Sequence, residues 1–329
     1  MAFKTADLKI YIYSGISGSY TSTDLKYEIQ KSVIGTDTNV AFEIGELVRD
    51  YIDVTFNNDY LSKCVWVTTI VTLIDDAGVV YTYGSPVTNT YLAVDGFGYF
   101  EDEINPILSD NLLMTANTIY LPENVEGKLP IYAEGVGKVT IDSVDTQITD
   151  NDNTNQKLQY ITIPSNSSTI QVYDTDDTTL LRTVKVYNVC EPKYTPYKVT
   201  FVNKYGAYQD LYFFKKSTES FNVTDEKFKR NTVSINGGSF YPNYKGQEER
   251  YNTNARKSIT LNTGFINEDS NSVIEELFLS ENVWIRYQSQ TLPIIPKTKS
   301  LTFKTSLNDR LSNYTIDFDF AFNKINNVR

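Results

Sequence analysis

The most regular alternation in the chain lies near its end. Tyr314, Ile316, Phe318, Phe320 and Phe322 alternate with Thr315, Asp317, Asp319 and Ala321. A period of two puts the aromatic residues on one face of a strand and both aspartates on the other, which predicts a core beneath the aromatic face. Upstream, Val273, Ile274, Leu277 and Phe278 recur at helical spacing and predict an acidic helix over residues 268–280. Asn267 or Asp269 caps it, Glu268 and Asp269 sit at its positive end, and Ser280 and Asn282 close it. Glu275 and Glu276 fall on its solvent side. So short a helix is marginal alone, so Leu277 and Phe278 are expected to pack on the aromatic strand. Between helix and strand come Val283-Trp284-Ile285-Arg286-Tyr287, a turn at residues 288–290, a run at 292–295, and a strand with Leu301 and Phe303 on one face.

Similar patterns fill the rest of the chain, and three consecutive segments are expected. In residues 1–106, Leu8, Ile10 and Ile12 open a strand, Tyr27 and Ile29 continue the pattern, and Val40, Phe42 and Ile44 predict another. Residues 46–52 read as a helical turn and residues 64–73 as a long strand. Asp75-Asp76-Ala77-Gly78 then turns the chain into a return strand at residues 79–83. In residues 107–192, strands are expected at 114–121, 136–144, 158–163, 170–173 and 180–189, with a polar loop at 149–155. Pro192 and Pro196 form a stiff connection. Residues 193–329 hold strands at 198–203 and 207–214, a turn at Tyr205-Gly206, a turn at Asn236-Gly237-Gly238 preceded by Val233 and Ile235, and a polar strand at 248–259.

The order of elements in residues 262–322, from short acidic helix through hairpin to long aromatic strand, resembles the tube-fold domain of phage tail proteins: tail tube, distal tail and baseplate hub proteins. The resemblance covers the last third of the chain and is one of pattern. It implies a small barrel or sandwich with one helix on its side, assembled into rings, hexamers in that family. The hairpin of the first segment is similar in architecture to fibronectin-like sandwiches. The expected fold class is therefore mainly β: serial β-sandwich domains, the last a tube-like barrel or sandwich with one packed α-helix.

Composition narrows the function. The chain has 329 residues with 25 Tyr, 17 Phe and no His, which suits pleated sheets. Its net charge of −11 repels phosphates, so direct nucleic-acid binding is not expected. Lys227, Lys229 and Arg230 make only a local basic patch. The first residues lack the apolar run of a signal peptide, and no stretch is long and apolar enough to span a membrane, so synthesis in a host cytoplasm without membrane insertion is expected. Cys64 and Cys190 look like small core residues.

No chemistry-bearing constellation emerges. Without histidine there is no Ser-His or Cys-His dyad and no usual zinc site. An EF-hand loop needs Gly at its sixth position and Glu at its twelfth. Counted from Asp150 those positions hold Asn155 and Ile161, and from Asp174 Thr179 and Val186. Gly237-Gly238 lacks the lysine and hydroxyl of a phosphate loop. Glu275 and Glu276 point apart, and Asp317 and Asp319 share one strand face, where they repel unless paired. No catalytic, cofactor or metal residue is assigned. The expectation is a non-enzymatic structural protein of a phage tail or baseplate, resident in the virion, forming a homo-oligomeric ring and docking other tail proteins. Trp284, Arg286 and Tyr287 are the expected subunit contacts, since Trp, Tyr and Arg dominate interfaces. Asp317 and Asp319 are read as meeting basic residues of a neighbour, with a sugar, a cation or plain solvent as the other readings of that strand face. A double-jelly-roll capsid protein and a carbohydrate-binding adhesin are the alternatives.

Overall fold

A computed structural model of the chain describes residues 4–33, 39–80, 85–103, 110–231, 243–244, 246–298, 300, 302 and 311–325. The chain is mainly β, built from several antiparallel sheets with few helices, as its composition predicts. It forms two compact units that are not consecutive in sequence. The first comprises Met1–Cys190, Val199–Tyr212 and Asp269–Val283, and the second Glu191–Lys198, Phe213–Glu268 and Trp284–Arg329.

The first unit begins with β1 (Thr5–Tyr13), β2 (Leu25–Ser32), the short helix α1 (Gly45–Arg49), β3 (Val65–Ile74) and β4 (Val87–Ala93). The strands form a sheet in the order β2-β1-β3-β4, with antiparallel neighbours. Leu8, Ile10, Ile12, Val65 and Val67 make one buried face, over which Val48 of α1 closes. Residues 40–44, expected as a strand, are irregular. Phe42 and Ile44 instead lay their side chains on this core from outside the sheet, which satisfies their apolar pattern without a ladder. The expected turn forms: Gly78 adopts φ +77°, and the Asp75 carboxylate accepts the N–H groups of Ala77 and Val79. Of the expected return strand, residues 81–83 lie outside the described residues, and β4 is the strand that pairs with β3.

Farther along come β5 (Thr118–Pro122), β6 (Gly127–Tyr132), β7 (Lys138–Ile141), β8 (Val144–Gln147), β9 (Leu158–Ile163), β10 (Thr169–Tyr173) and β11 (Leu180–Val189). Five of them form a sheet in the order β5-β11-β10-β7-β8, parallel only between β5 and β11, while β6 and β9 form a separate ribbon. Val184, Ile170 and Ile141 line up across the sheet, as do Val172 and Val139, and all are buried. Residues 136–144, expected as one strand, contain the turn of a hairpin. Asp142 and Ser143 both take positive φ, 46° and 72°, so the chain reverses without a glycine. The polar loop at 149–155 is anchored. Asn155 is buried and donates to the Cys64 carbonyl at 2.7 Å, and buried Lys157 pairs with Asp150 at 2.5 Å.

The chain continues through β12 (Tyr197–Val202) and β13 (Tyr208–Phe213), joined at the turn expected at Tyr205-Gly206. Next are β14 (Thr218–Lys229), β15 (Glu248–Asn262), β16 (Ile266–Asn267), α2 (Asn271–Leu279), β17 (Val283–Tyr287), β18 (Gln290–Pro296), β19 (Leu311–Ser312) and β20 (Thr315–Phe320). The expected helix is present, preceded by a 3-10 turn at Glu268–Ser270. Its contacts place it with the first unit. Val273, Ile274 and Leu277 are buried and Phe278 is half-buried. Two expectations fail here. Asp269 does not cap the helix; its carboxylate accepts the Asn117 N–H at 2.6 Å. Glu276 is not solvent-facing but 1% exposed, because its carboxylate accepts the Thr115 hydroxyl.

Within the second unit β18, β20, β15 and β14 are antiparallel neighbours in that order. Ile316, Phe318 and Phe320 oppose Leu261, Ile259 and Ile294, and all six are buried. Phe213 meets Phe318 edge-on at 5.9 Å. The aromatic face stops one residue pair early: β20 ends at Phe320, and Phe322 is 45% exposed. The expected strand around Leu301 and Phe303 and the turn at residues 236–238 lie outside the described residues. Cys190, expected in a core, is exposed, while Cys64 is buried; neither is in a disulfide.

Candidate interaction surfaces

Trp284 and Tyr287 spend their surfaces inside the protomer, at 9% and 8% exposed. Tyr287 stacks on Tyr197, meets Phe320 edge-on at 5.4 Å, and donates its hydroxyl to Glu219 at 2.7 Å. Arg286, on the opposite strand face, is exposed and donates to the Thr291 hydroxyl. Asp317 and Asp319 share a face, as expected, and do not stand unpaired. Thr260 and Ser258, opposite them on β15, donate hydroxyl hydrogen bonds of 2.5 Å to each, and Lys297 lies 3.7 Å from Asp319. The β15 hydroxyls thus relieve the repulsion between two carboxylates on one strand face. Of the five expected contacts, Arg286 and Asp317 remain exposed and Asp319 partly so.

The larger surface is one that sequence reasoning missed. β14 and β15 pair over most of their length as a two-stranded arm, and all twelve residues of β14 are exposed. Among the described residues β14 ends its sheet, so its outer edge has no strand partner. Phe221, Val223, Phe228 and Tyr251 are exposed on the arm, between 45% and 56%. Ion pairs brace its outer half: Asp225 with Arg250, Lys227 with Glu248, and Arg230 with Glu249. The sequence signal was present in the Phe221-x-Val223 alternation, but only the basic patch at Lys227, Lys229 and Arg230 was read from this stretch.

A second surface is a cleft of about 740 Å³ in the first unit. Four separated stretches build it: α1 with the residues around it, the end of β4 and its continuation to Gly98, the turn between β12 and β13, and the chain after α2. Two glycines allow these stretches to meet. A Cβ on Gly96 would sit 2.5 Å from the Lys204 carbonyl oxygen, and Gly206, at φ +73°, passes against Val94. Phe97 donates its N–H to the Lys204 carbonyl at 2.9 Å, and Val202 donates to the Asn282 carbonyl at 3.2 Å. Arg49 ties the mouth together, donating to Asp95 at 2.8 Å and Glu281 at 2.7 Å. Ile44, Val48, Ile52 and Val67 supply apolar lining, and Tyr91, Phe97 and Tyr205 aromatic lining. The Lys204 ammonium lies over the Tyr99 and Tyr205 rings, 5.6 and 5.2 Å from their centres. Behind Lys204, burial pushes the Glu276 carboxyl above the usual carboxylate range.

Asp150 and Asp176, in the two acidic loops, are held by neighbouring groups of the chain. Asp150 is taken by Lys157, and Asp176 accepts the N–H groups of Thr178 and Thr179 and the Thr179 hydroxyl, which hold its pKa well down. Among the described residues no three potential metal ligands cluster, and no helix is long and apolar enough to cross a membrane. No family model, curated protein or solved structure matches the chain.

Proposed function

We propose that the protein is a non-enzymatic structural component of a phage tail or baseplate, built into the virion as a ring of copies joined through the β14–β15 arm. The observation that carries the proposal is that all twelve residues of β14 are exposed at a sheet edge. A two-stranded ribbon is marginal in water by itself. An exposed edge bearing Phe221, Val223 and Phe228 is a template for pairing with another chain. Charge favours a second copy as that chain. The protein carries a net charge of −11, so copies repel over most of their surface. On the outer arm Asp225, Glu226, Glu248 and Glu249 are matched by Lys227, Lys229, Arg230 and Arg250, so this surface approaches its like with little repulsion.

The test is the mass of the purified chain in solution, measured by mass photometry. A closed oligomer is expected, and the Phe221→Asp, Val223→Asp double variant should remain monomeric with an unchanged circular dichroism spectrum. A wild-type chain that stays monomeric at micromolar concentration, or a double variant that still oligomerises, would overturn arm-mediated assembly.

A further inference from the structure

Unlike the arm, the cleft of the first unit is unbalanced in charge. Glu43, Glu46, Asp95 and Glu281 line it against two cations, Arg49 and Lys204. Arg49 is already held by Asp95 and Glu281, and Lys204 is stacked on tyrosine rings, so neither is left to attract an anion. Glu43 and Glu46 stand exposed at the rim, on either side of Gly45. Below them the lining is aliphatic, and exposed Tyr91 and half-buried Phe97 flank it. An apolar lining under an acidic, aromatic rim matches one kind of side chain: a long aliphatic stem that ends in a cation. The neighbouring backbone adds a direction. β4 is the last strand of its sheet among the described residues, and its end and continuation line the cleft in an unbroken run from Tyr91 to Gly98. A sheet edge is where an extended segment adds by main-chain hydrogen bonds while alternate side chains enter pockets.

We infer that this cleft docks an extended segment of a partner protein that presents a lysine or arginine. The basic side chain lays its stem on Ile44, Val48 and Ile52 and puts its charge between Glu43 and Glu46. The partner is a different protein with a basic face, since this chain's net charge of −11 sets a second copy, taken whole, against a cleft lined by four carboxylates. Apolar lining plus charge complementarity gives the site both affinity and selectivity against acidic segments. The cavity has the size of ordinary ligand pockets, roughly 300–1,000 Å³, which limits the anchored portion to a few side chains.

The probe is a short fluorescein-labelled peptide alternating lysine and valine, with glutamine–valine and glutamate–valine peptides as controls. Anisotropy is measured on the full chain carrying the Phe221→Asp and Val223→Asp changes, so that assembly does not enter. Binding of the lysine peptide is expected to be about tenfold or more tighter than that of the glutamine peptide and to weaken with salt. The glutamate peptide should not bind. Glu43→Gln with Glu46→Gln should cost about tenfold in affinity, while Glu101→Gln with Asp102→Asn, exposed and outside the cleft, should cost nothing. Equal binding of lysine and glutamine peptides would overturn the inference. So would full affinity in the Glu43, Glu46 double variant, or binding of maltotriose without binding of the lysine peptide. None of these outcomes touches the assembly reading, which is decided by mass alone.

Discussion

β1 and β14 are both long strands, of nine and twelve residues, yet they are held in different ways. β1 is paired on both edges, by β2 and β3, and Ala6, Leu8, Ile10 and Ile12 are buried under a second layer. Among the described residues β14 is paired on one edge only, and all twelve of its residues are exposed. In β1 the alternation of residues decides which face is core. In β14 the same kind of alternation, at Phe221 and Val223, has no layer to address. The contrast separates a strand paired and layered within the chain from one that ends its sheet among the described residues. Burial stabilises at about 25 cal/mol per Å² of apolar surface, a contribution that β14 does not gain within the protomer.

The largest effects should follow from opening completed layers. Phe318 is fully buried and packed edge-on by Phe213. Phe318→Ala should lower the unfolding free energy by about 3–5 kcal/mol, read from urea denaturation followed by near-ultraviolet circular dichroism. A loss under about 1 kcal/mol would mean that the aromatic face is not the core of the second unit. Glu276 comes next. Glu276→Ala leaves the Thr115 hydroxyl without its acceptor and should cost about 1–3 kcal/mol. Glu276→Gln keeps an acceptor and removes the buried charge. The folded-state pKa of Glu276 lies above its unfolded value, so folding at neutral pH forces a charge into an unfavourable site. That penalty disappears as pH falls through the raised folded value and is absent below the unfolded value. The Gln variant should therefore melt higher than wild type at pH 7, and the difference should vanish near pH 4. A variant that melts lower at both pH values would show that the charged carboxylate is the favoured partner of Thr115.

Much of the protomer's own architecture was legible in the sequence, and the reasons differ by element. Strands that meet a core, such as β1, β11 and β20, carry their alternation openly, β3 shows as a long apolar run, and α2 carries its helical spacing. The reading failed where a residue's partner is far away in sequence. Glu276 reads as a solvent residue because nothing near it announces Thr115, more than a hundred and sixty positions earlier. Residues 149–155 read as a polar loop because the Cys64 carbonyl that receives Asn155 lies 91 positions earlier in the chain. The hairpin turn at Asp142 and Ser143 carries no glycine to mark it. The cleft was invisible for the same reason, since four separated stretches contribute its wall. Half of the arm, β15, was legible as a polar strand at residues 248–259; β14 was missed because it buries no face, so its brief alternation at Phe221 and Val223 stands among charged residues.

Calcium should leave both units unchanged. Asp174 Oδ1 and both side-chain oxygens of Asp176 already accept hydrogen bonds from threonine N–H and hydroxyl groups in the turn at Asp174–Thr179. A ligand that binds only the native state raises the melting temperature with its concentration. Millimolar calcium is expected to produce no rise, and a rise of several degrees that disappears in Asp176→Asn would place a cation in that turn.

The smallest effect on folding belongs to the arm, and it is the sharpest test of the contrast with β1. Phe221→Ala and Val223→Ala remove side chains that are already about half in water, so together they should change protomer stability within about 0.5 kcal/mol. Hydrogen exchange separates the two strands further. Amides exchange slowly where opening requires global unfolding and quickly where local opening suffices. In a monomeric sample the β1 amides should exchange only with global unfolding, while those of β14 exchange by local opening of the ribbon. If copies complete each other's arms, β14 amides become protected when wild-type chain is concentrated into oligomer, and protection of β1 does not change. The alanine double variant should hold β1 protection at the wild-type level and fail to acquire β14 protection at any concentration. Equal, concentration-independent protection of β14 in wild type and variant would mean that the ribbon is stable alone, and its exposed phenylalanines would then need no second copy to explain them.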